Sequence, residues 1–418
     1  MGSPRWDVVV AGGGPAGLMA AITSAEAGVA RVLVLEAAPE PLGKVLISGG
    51  GRCNVTHACW DPVDLVSHYP RGSRPLRGPF SRFAAADTVA WFAKRGLQLV
   101  EEADGRLFPR THRSSDVVAC LLRAARSSGV QLWTGAGLQT LRPGQSGGGW
   151  QLGLRGRSVA TPQLEAGRVL LATGSHPSGR RLAGQLGLKV VDPVPSLFTL
   201  ALAERPLQSL AGVVVKPVSM ELRVGRRRHR ERGVLLITHW GLSGPAVLRL
   251  TAFAARDLHA AGYRAELQVD WSGGMAAGEL EQLLGSMRAD QGRQRLRSRR
   301  PWPELSRRLW QQLVQDAGLD GDQPWGELSA RGLDRLLAAL RRSSYSVSGR
   351  GPFGEEFVTA GGISLSEIDL ATMACRRHAG LHVAGELLDV DGVTGGFNFQ
   401  HCWTSGWIAG RAMADAAV

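Results

Sequence analysis

The chain has 418 residues, 44% of them hydrophobic and 20% charged, which is enough for two domains with substantial cores and too apolar for disorder. Its net charge of +13 and isoelectric point near 10.6 suit an anionic partner such as nucleic acid, and equally follow from a compositional bias towards arginine. With no apolar run of about eighteen residues, and a strand begun by residue 6 without a basic and apolar leader, neither a membrane span nor a secretion signal is expected; a cytoplasmic location is.

Residues 6–36, WDVVVAGGGPAGLMAAITSAEAGVARVLVLE, read as a short apolar strand, a glycine turn, a helix over 15–27 and a second strand over 31–35. In Gly12-x-Gly14-x-x-Gly17 the first glycine permits the tight turn, the second lets a pyrophosphate approach the backbone, and the third lets helix and strand pack closely. Pro15 and Ala16 open the helix, whose free N–H groups, with that of Gly13, face the phosphates. Glu36 is placed to accept hydrogen bonds from ribose hydroxyls, and its charge would repel a 2′-phosphate, disfavouring NADP here. Gly349-x-Gly351-x-x-Gly354 has the same spacing but follows a Ser/Arg-rich stretch and leads into Glu355 and Glu356; it reads as a linker.

Further along, a helix is expected over 86–95, a strand over 97–100, a helix over 114–128 and a strand over 130–133, which implies a parallel sheet covered on both faces. GRVLLATG (167–174) supplies another buried strand ending in a Thr-Gly turn. The character changes near 192. Strands are expected over 197–203, 213–224, 233–238 and 264–270, then Arg- and Leu-rich helices from about 276 to 341. A last strand (380–386) and a helix over 398–416 restore the earlier pattern. The fold expected is therefore α/β: a Rossmann-like, doubly wound FAD-binding domain over 1–192 and 351–418, interrupted by a basic β-plus-helical insert over 193–350.

The glycine fingerprint alone does not choose between NAD and FAD; three later segments do. Ala172-Thr173-Gly174 ends a strand that can lie beside the cofactor. Gly385-Glu386 ends the last strand, where a carboxylate can hold ribityl hydroxyls. Gly395-Gly396-x-Asn398-Phe399 opens a helix whose positive end would face the flavin pyrimidine edge. No second strand–fingerprint–helix unit is present, so NAD(P)H, if it is the reductant, must enter the substrate cleft and leave again.

Over nearly its whole length the chain resembles the bacterial flavoprotein family that includes aminoacetone oxidase, the bile-acid reductase BaiN and the ribosomal RNA dihydrouridine synthase formerly called YhiN. The resemblance runs through GGGPAGLMAA (12–21), KVLISGGGRCNVT (44–56), GRLFPRT (105–111), LLATGS (170–175), LLITHWGLSGPAVL (235–248), TAGGISLSEID (359–369) and AGELLDVDGVTGGFNFQ (384–400). It implies an FAD-binding Rossmann domain with an inserted domain. The chain departs from the family at His57, His401 and Cys402, where an Asn, an aromatic and a small residue are usual, so substrate choice does not carry over.

Among residues that could do chemistry, Cys53 in GGGRCN has Arg52 beside it, a cation that would favour the thiolate or a proton-donor role; the alternative is a small buried thiol lining the cofactor. Arg52 and Asn54 suit cofactor or substrate carbonyls, and Lys44 precedes a turn towards the cofactor or is a solvated loop lysine. His239, in THWGLSGP, could point into the domain cleft and deliver a proton, with Ser243 capping the next helix; alternatively it holds the turn. The five scattered cysteines, Cys53, Cys59, Cys120, Cys375 and Cys402, argue for reduced thiols and against a structural zinc, and no metal is expected. From Lys216 to Arg308 there are eighteen Lys/Arg against nine Asp/Glu, an excess of nine of the thirteen positive charges. Arg226, Arg227, Arg228 and Arg230 fall at a hairpin turn, and Arg293, Arg295, Arg297, Arg299 and Arg300 lie beside Trp302; such clusters suit RNA or are solvated surface. The function expected is hydride transfer at flavin N5 with Cys53 or His239 handling the proton and substrate lying between flavin and insert. A uridine of ribosomal RNA is the favoured substrate. A small-molecule ene-reductase or oxidase, and an RNA-binding factor without turnover, are the rivals. Oligomeric state is not legible.

Overall fold

The structure is a computed structural model that describes residues 5–144, 148–156, 162–203, 207–351 and 358–415. It divides into two compact units, residues 1–193 with 358–418, and residues 194–357.

The first unit is built on a parallel sheet in which Arg5–Ala11 lies centrally, between Val32–Leu35 and Gln163–Leu171. Gln131–Trp133 extends one side and Leu381–Val383 the other, all in parallel register. The Val8, Val9 and Val10 side chains are fully buried, as are those of Leu33, Val34, Val169, Leu170 and Leu171. Such unbroken apolar runs are what a sheet covered on both faces requires. The first helix, Pro15–Glu26, and the last, Phe397–Asp415, pack backbone against backbone: a Cβ added at Gly406 would lie 2.4 Å from the Ala16 carbonyl oxygen, and one at Gly410 would lie 2.5 Å from that of Ala20. Ser24 Oγ closes this contact by donating to the Gly410 carbonyl at 3.0 Å.

Two features depart from the sequence expectation. The strand expected over 97–100 appears as Leu99–Glu101, but it belongs to a separate antiparallel sheet with Arg106–Pro109 and Thr56–His57. The stretch before Gly167 adds Gly137–Pro143 and Trp150–Arg155 as an antiparallel meander on Gln163–Leu171. Helix–strand alternation could not signal either, because hairpin connections carry no crossover helix.

The second unit contains a closed barrel in the order Leu200–Leu202, Gly241–Ser243, Arg227–Ile237, Val214–Val224, Ala265–Asp270 and Ser343–Arg350. Closure leaves no open sheet edge. Gly349, read as part of a linker, sits in the last barrel strand, and the Gly351 N–H donates to the Thr199 carbonyl at 2.8 Å; Gly354, Glu355 and Glu356 lie outside the described residues. Helices Ala277–Asp290, Arg307–Asp316 and Ala330–Arg341 complete the unit around the buried, stacked indoles of Trp310 and Trp325, 5.9 Å apart. Ser306 and Ser329 accept from Leu309 N and Gly332 N, capping the last two of these helices.

Candidate cofactor site

Gly12 takes φ +118°, and a Cβ there would meet the Ala172 carbonyl oxygen at 2.3 Å. At Gly17 an added Cβ would stand 2.0 Å from the Gly12 carbonyl oxygen. Both positions therefore admit only hydrogen, and the strand, turn and helix close into one tight unit. Gly14 is the N-cap of the Pro15 helix with no side-chain cap, and nothing lies within 4 Å of where its Cβ would be. No side chain spends the N–H groups at this helix end, which leaves them able to receive a phosphate. Glu36 accepts from Gly13 N and Ala38 N, each at 2.8 Å, so the turn itself fixes its carboxylate.

The three later segments gather beside this turn. Ala172 N donates to the Ala11 carbonyl at 2.9 Å, carrying Thr173 and Gly174 past the end of the first strand. Lys44 Nζ donates to Ser175 Oγ at 2.8 Å and to Glu386 Oε2 at 2.7 Å, tying the Gly43–Gly51 segment to the other two. Gly385 is held by Ser405 Oγ, which accepts its N–H at 3.0 Å, and by His401, whose Nε2 lies 3.3 Å from its carbonyl oxygen. That contact makes Nε2 the protonated nitrogen. A Cβ at Gly396 would fall 2.7 Å from the Thr56 carbonyl oxygen and 2.8 Å from Asn54 Oδ1, so the start of the last helix presses directly on the Cys53 loop.

Whether these residues suit FAD can be judged from their unspent hydrogen-bonding capacity. Ten buried side-chain polar atoms lack a partner among the described residues, and three of them are Asn54 Oδ1, Thr173 Oγ1 and Glu386 Oε1. An unsatisfied buried polar atom costs about 1–3 kcal/mol, so each of the three is a candidate to bind a ligand hydroxyl or amide. A bare phosphate-ready helix end on one side and these three atoms on the other fit a dinucleotide bearing a polyhydroxyl chain.

Several expected roles are altered by what the side chains touch. Asn398 cannot reach a cofactor with its amide, because Oδ1 accepts from Gly392 N at 2.8 Å and Nδ2 donates to the Gly392 carbonyl at 2.9 Å. Phe399 stacks on Trp403, centroids 5.9 Å apart. Arg52 donates to Glu102 at 2.7 Å and lies over the Phe108 ring at 4.3 Å, so its charge is spent before it can stabilise a neighbouring thiolate. Cys53 is fully buried, and burial pushes its thiol up to about 12, only partly offset by a hydrogen bond with Ser48. It is a thiol at neutral pH, not the reactive thiolate the adjacent arginine suggested. His239 is exposed in the turn before Gly241–Ser243 of the barrel unit, and Ser243 does not cap the following helix, whose N-cap is Gly244; its hydroxyl instead accepts from Thr199 Oγ1 at 3.0 Å.

The basic clusters are also partly spent. Arg227 meets Asp257 at 3.3 Å, Arg228 and Arg230 meet Glu221 at 3.8 and 2.7 Å, and Arg295 and Arg297 share Asp322 at 2.7 and 2.9 Å. Arg300 donates to the Pro303 carbonyl at 3.0 Å. Arg226, Arg293 and Arg299 have no ion pair of this kind among the described residues. Trp302, expected beside the RNA, is half-buried against the unit's apolar core.

Sequence reading missed a three-ring cluster in which Phe397 packs against His57 and His68, at 4.8 and 4.2 Å, with the two imidazoles 6.1 Å apart. It also missed the buried pair of Arg71 with the fully buried Asp391, which joins the 62–82 segment to the loop before the last helix. Asp391 stands in the quoted VDGVTGGFN segment, and a carboxylate amid such apolar and glycine residues is the one signal that could have marked it.

A glycine-turn strand and helix, an acidic residue closing the second strand and a C-terminal helix returning to the same place define an FAD-binding Rossmann flavoprotein. Residues 6–412 match the family described as the HI0933-like protein Rossmann domain. The chain belongs to that family of FAD-dependent oxidoreductases. It is 27% identical over 415 residues to a 3-dehydro-bile acid delta(4,6)-reductase of Clostridium scindens, covering 97% of this chain and 98% of that one. It is 28% identical over 425 residues to a ribosomal RNA dihydrouridine synthase of Escherichia coli, covering 99% of each. Among solved structures it shares its fold with a 3-ketosteroid delta1-dehydrogenase of Sterolibacterium denitrificans (TM-score 0.53, 15% identity, 99% of this chain and 100% of that one). The open conformation of a flavocytochrome c3 fumarate reductase is similar (TM-score 0.52, 17% identity, 100% and 79%). No helix among the described residues is long and apolar enough to cross a membrane.

Proposed function

We propose that this oxidoreductase reduces a uridine of ribosomal RNA to dihydrouridine, with NAD(P)H as the transient reductant. The observation that carries the redox part is the uncapped Gly14 helix end, with the Thr173 backbone packed against Gly12 and the Gly385-Glu386 segment against Ala16. The substrate is supported by the name of the Escherichia coli relative, similar along its whole length, and by the arginine-rich second unit.

Bound FAD supplies a hydride at its N5. The protein holds the cofactor through the uncapped N–H groups at the start of the Pro15–Glu26 helix, the carboxylate of Glu36 and the Lys44–Glu386 pair, with Gly12, Gly13, Gly14, Ala172, Thr173, Gly174, Gly385 and Gly396 lining it by backbone. Reduction of the uridine C5=C6 bond adds one hydride and one proton. Cys53, protonated at neutral pH, fits the proton-donor role and not an acceptor role; its high pKa makes it a weak acid that must act at close range. His239 is the alternative donor.

The name of the Clostridium scindens relative favours a second reading, a reductase of a small unsaturated metabolite. Mass spectrometry of ribosomal RNA from a deletion strain separates the two. Loss of one dihydrouridine, restored by the wild-type chain, is expected; an unchanged dihydrouridine content removes the RNA substrate.

A further inference from the structure

The arginines at the barrel hairpin divide by strand parity. Along Arg227–Ile237, the odd residues turn towards the Pro245–Ala260 helix. Arg227 and His229 meet Asp257 at 3.3 and 2.8 Å, and Glu231 accepts from Arg249 at 2.9 Å. The even residues Arg228, Arg230 and Arg232 are exposed on the opposite face. They stand two residues apart, roughly 6.8 Å in an extended strand, which is close to the step between successive phosphates of an extended polynucleotide.

The next two strands continue this face in register. Arg232 is opposite Ser219, and Ser219 is opposite Asp270; Arg230 is opposite Glu221, and Glu221 is opposite Gln268. The surface is thus a column of cations beside columns of hydroxyl, carboxylate and amide groups; Arg230 and Arg232 line a groove of about 630 Å³ with Ser219, Glu221, Gln268 and Asp270, and Arg228 continues the column beyond it. Glu221 is shared by three guanidiniums, Arg223 and Arg230 at 2.7 Å and Arg228 at 3.8 Å, so it offsets one of their charges and leaves the face positive. Cations at phosphate spacing, flanked by donors and acceptors suited to base edges, differ from Arg295, Arg297 and Arg300, which are bound to Asp322 and to a carbonyl.

We infer that this outer barrel face seats a short extended single strand of RNA, with Arg228, Arg230 and Arg232 on successive phosphates and Glu221, Gln268 and Asp270 beside the bases. The inference rests on the RNA reading above and names the surface that reading requires.

The test is fluorescence anisotropy of the full-length holoprotein with a labelled uridine oligoribonucleotide, titrated across NaCl concentrations. Each single-strand phosphate contact contributes roughly 0.7 to the slope of log affinity against log salt. The combined Arg228→Gln, Arg230→Gln, Arg232→Gln variant should bind at least about tenfold more weakly, with the slope reduced by about 2. Glu221→Gln should bind more tightly than wild type, a gain that a folding defect cannot produce. Arg295→Gln with Arg297→Gln, whose charges are already paired with Asp322, serves as the comparison cluster and should change affinity less. A triple variant that keeps wild-type affinity and slope overturns the seat while leaving the RNA reading intact. A wild-type protein that fails to bind the strand overturns the RNA reading, and the seat with it.

Discussion

The cofactor cradle and the barrel are held by different means. In the cradle, backbone touches backbone: Gly17 against the Gly12 carbonyl, Gly12 against Ala172, Gly406 against Ala16. Each such position tolerates one residue type, because any Cβ would overlap an oxygen that cannot move. In the barrel unit the core is carried by large side chains such as Trp310, Trp325 and Leu222, where apolar volume matters more than identity. The first region spends sequence on geometry for a ligand, and the second spends it on bulk. Substitutions should therefore fail in different ways in the two regions.

The largest effect is expected from Gly17→Val. Its Cβ would begin 2.0 Å from a backbone oxygen, so the turn must open, with a loss on the order of 4 kcal/mol or more and no retained flavin. Absorbance of the purified variant and its melting temperature report both.

Trp310→Ala should cost about 3–5 kcal/mol by leaving a cavity beside Trp325 and by freeing the Leu296 carbonyl that accepts from its indole at 2.6 Å. Chemical denaturation should show this loss, while flavin content at low denaturant stays at the wild-type level. Loss of flavin in parallel with barrel stability would break the distinction between the regions.

Acid should act mainly on the first unit. Burial pushes both His401 and His382 down to about 4. Each is neutral in the fold and takes a proton in the unfolded chain below about 6.5. Stability from this source is therefore whole above pH 6.5 and falls as the pH drops towards 4, by up to about 3 kcal/mol per histidine. His401→Phe should flatten that part of the stability–pH curve; an unchanged slope would show that His401 protonates without cost.

The smallest effect sharpens the comparison from the other side. Ser329→Ala removes the hydroxyl that accepts from Gly332 N, and about 1 kcal/mol of barrel-unit stability should go with it at unchanged flavin content.

These differences also explain what the sequence made legible. Gly12, Gly17, Glu36 and the Thr173 corner could be read because a phosphate-binding turn demands those residue types at that spacing. The separate sheet of Thr56–His57, Leu99–Glu101 and Arg106–Pro109 could not, since short antiparallel strands joined by turns look like loops between helices. The bonding of the Asn398 amide to Gly392 could not be read, because an asparagine amide suits a flavin and a loop equally. The arginine clusters were visible as charge, but the parity that turns Arg227 towards Asp257 and Arg228 away from it depends on register, which composition does not carry. Of the readings open for Cys53, only the thiolate one fails, because its neighbour in sequence, Arg52, binds Glu102 and the thiol is buried.

The central claim is that the Gly14 helix end, Thr173 and Glu386 together hold an isoalloxazine dinucleotide. The most direct measurement is the visible absorbance spectrum of the purified protein, with the released chromophore identified after heating. A yellow protein that releases FAD in near-equimolar amount is the result predicted. A colourless protein that takes up no FAD on reconstitution would contradict the account.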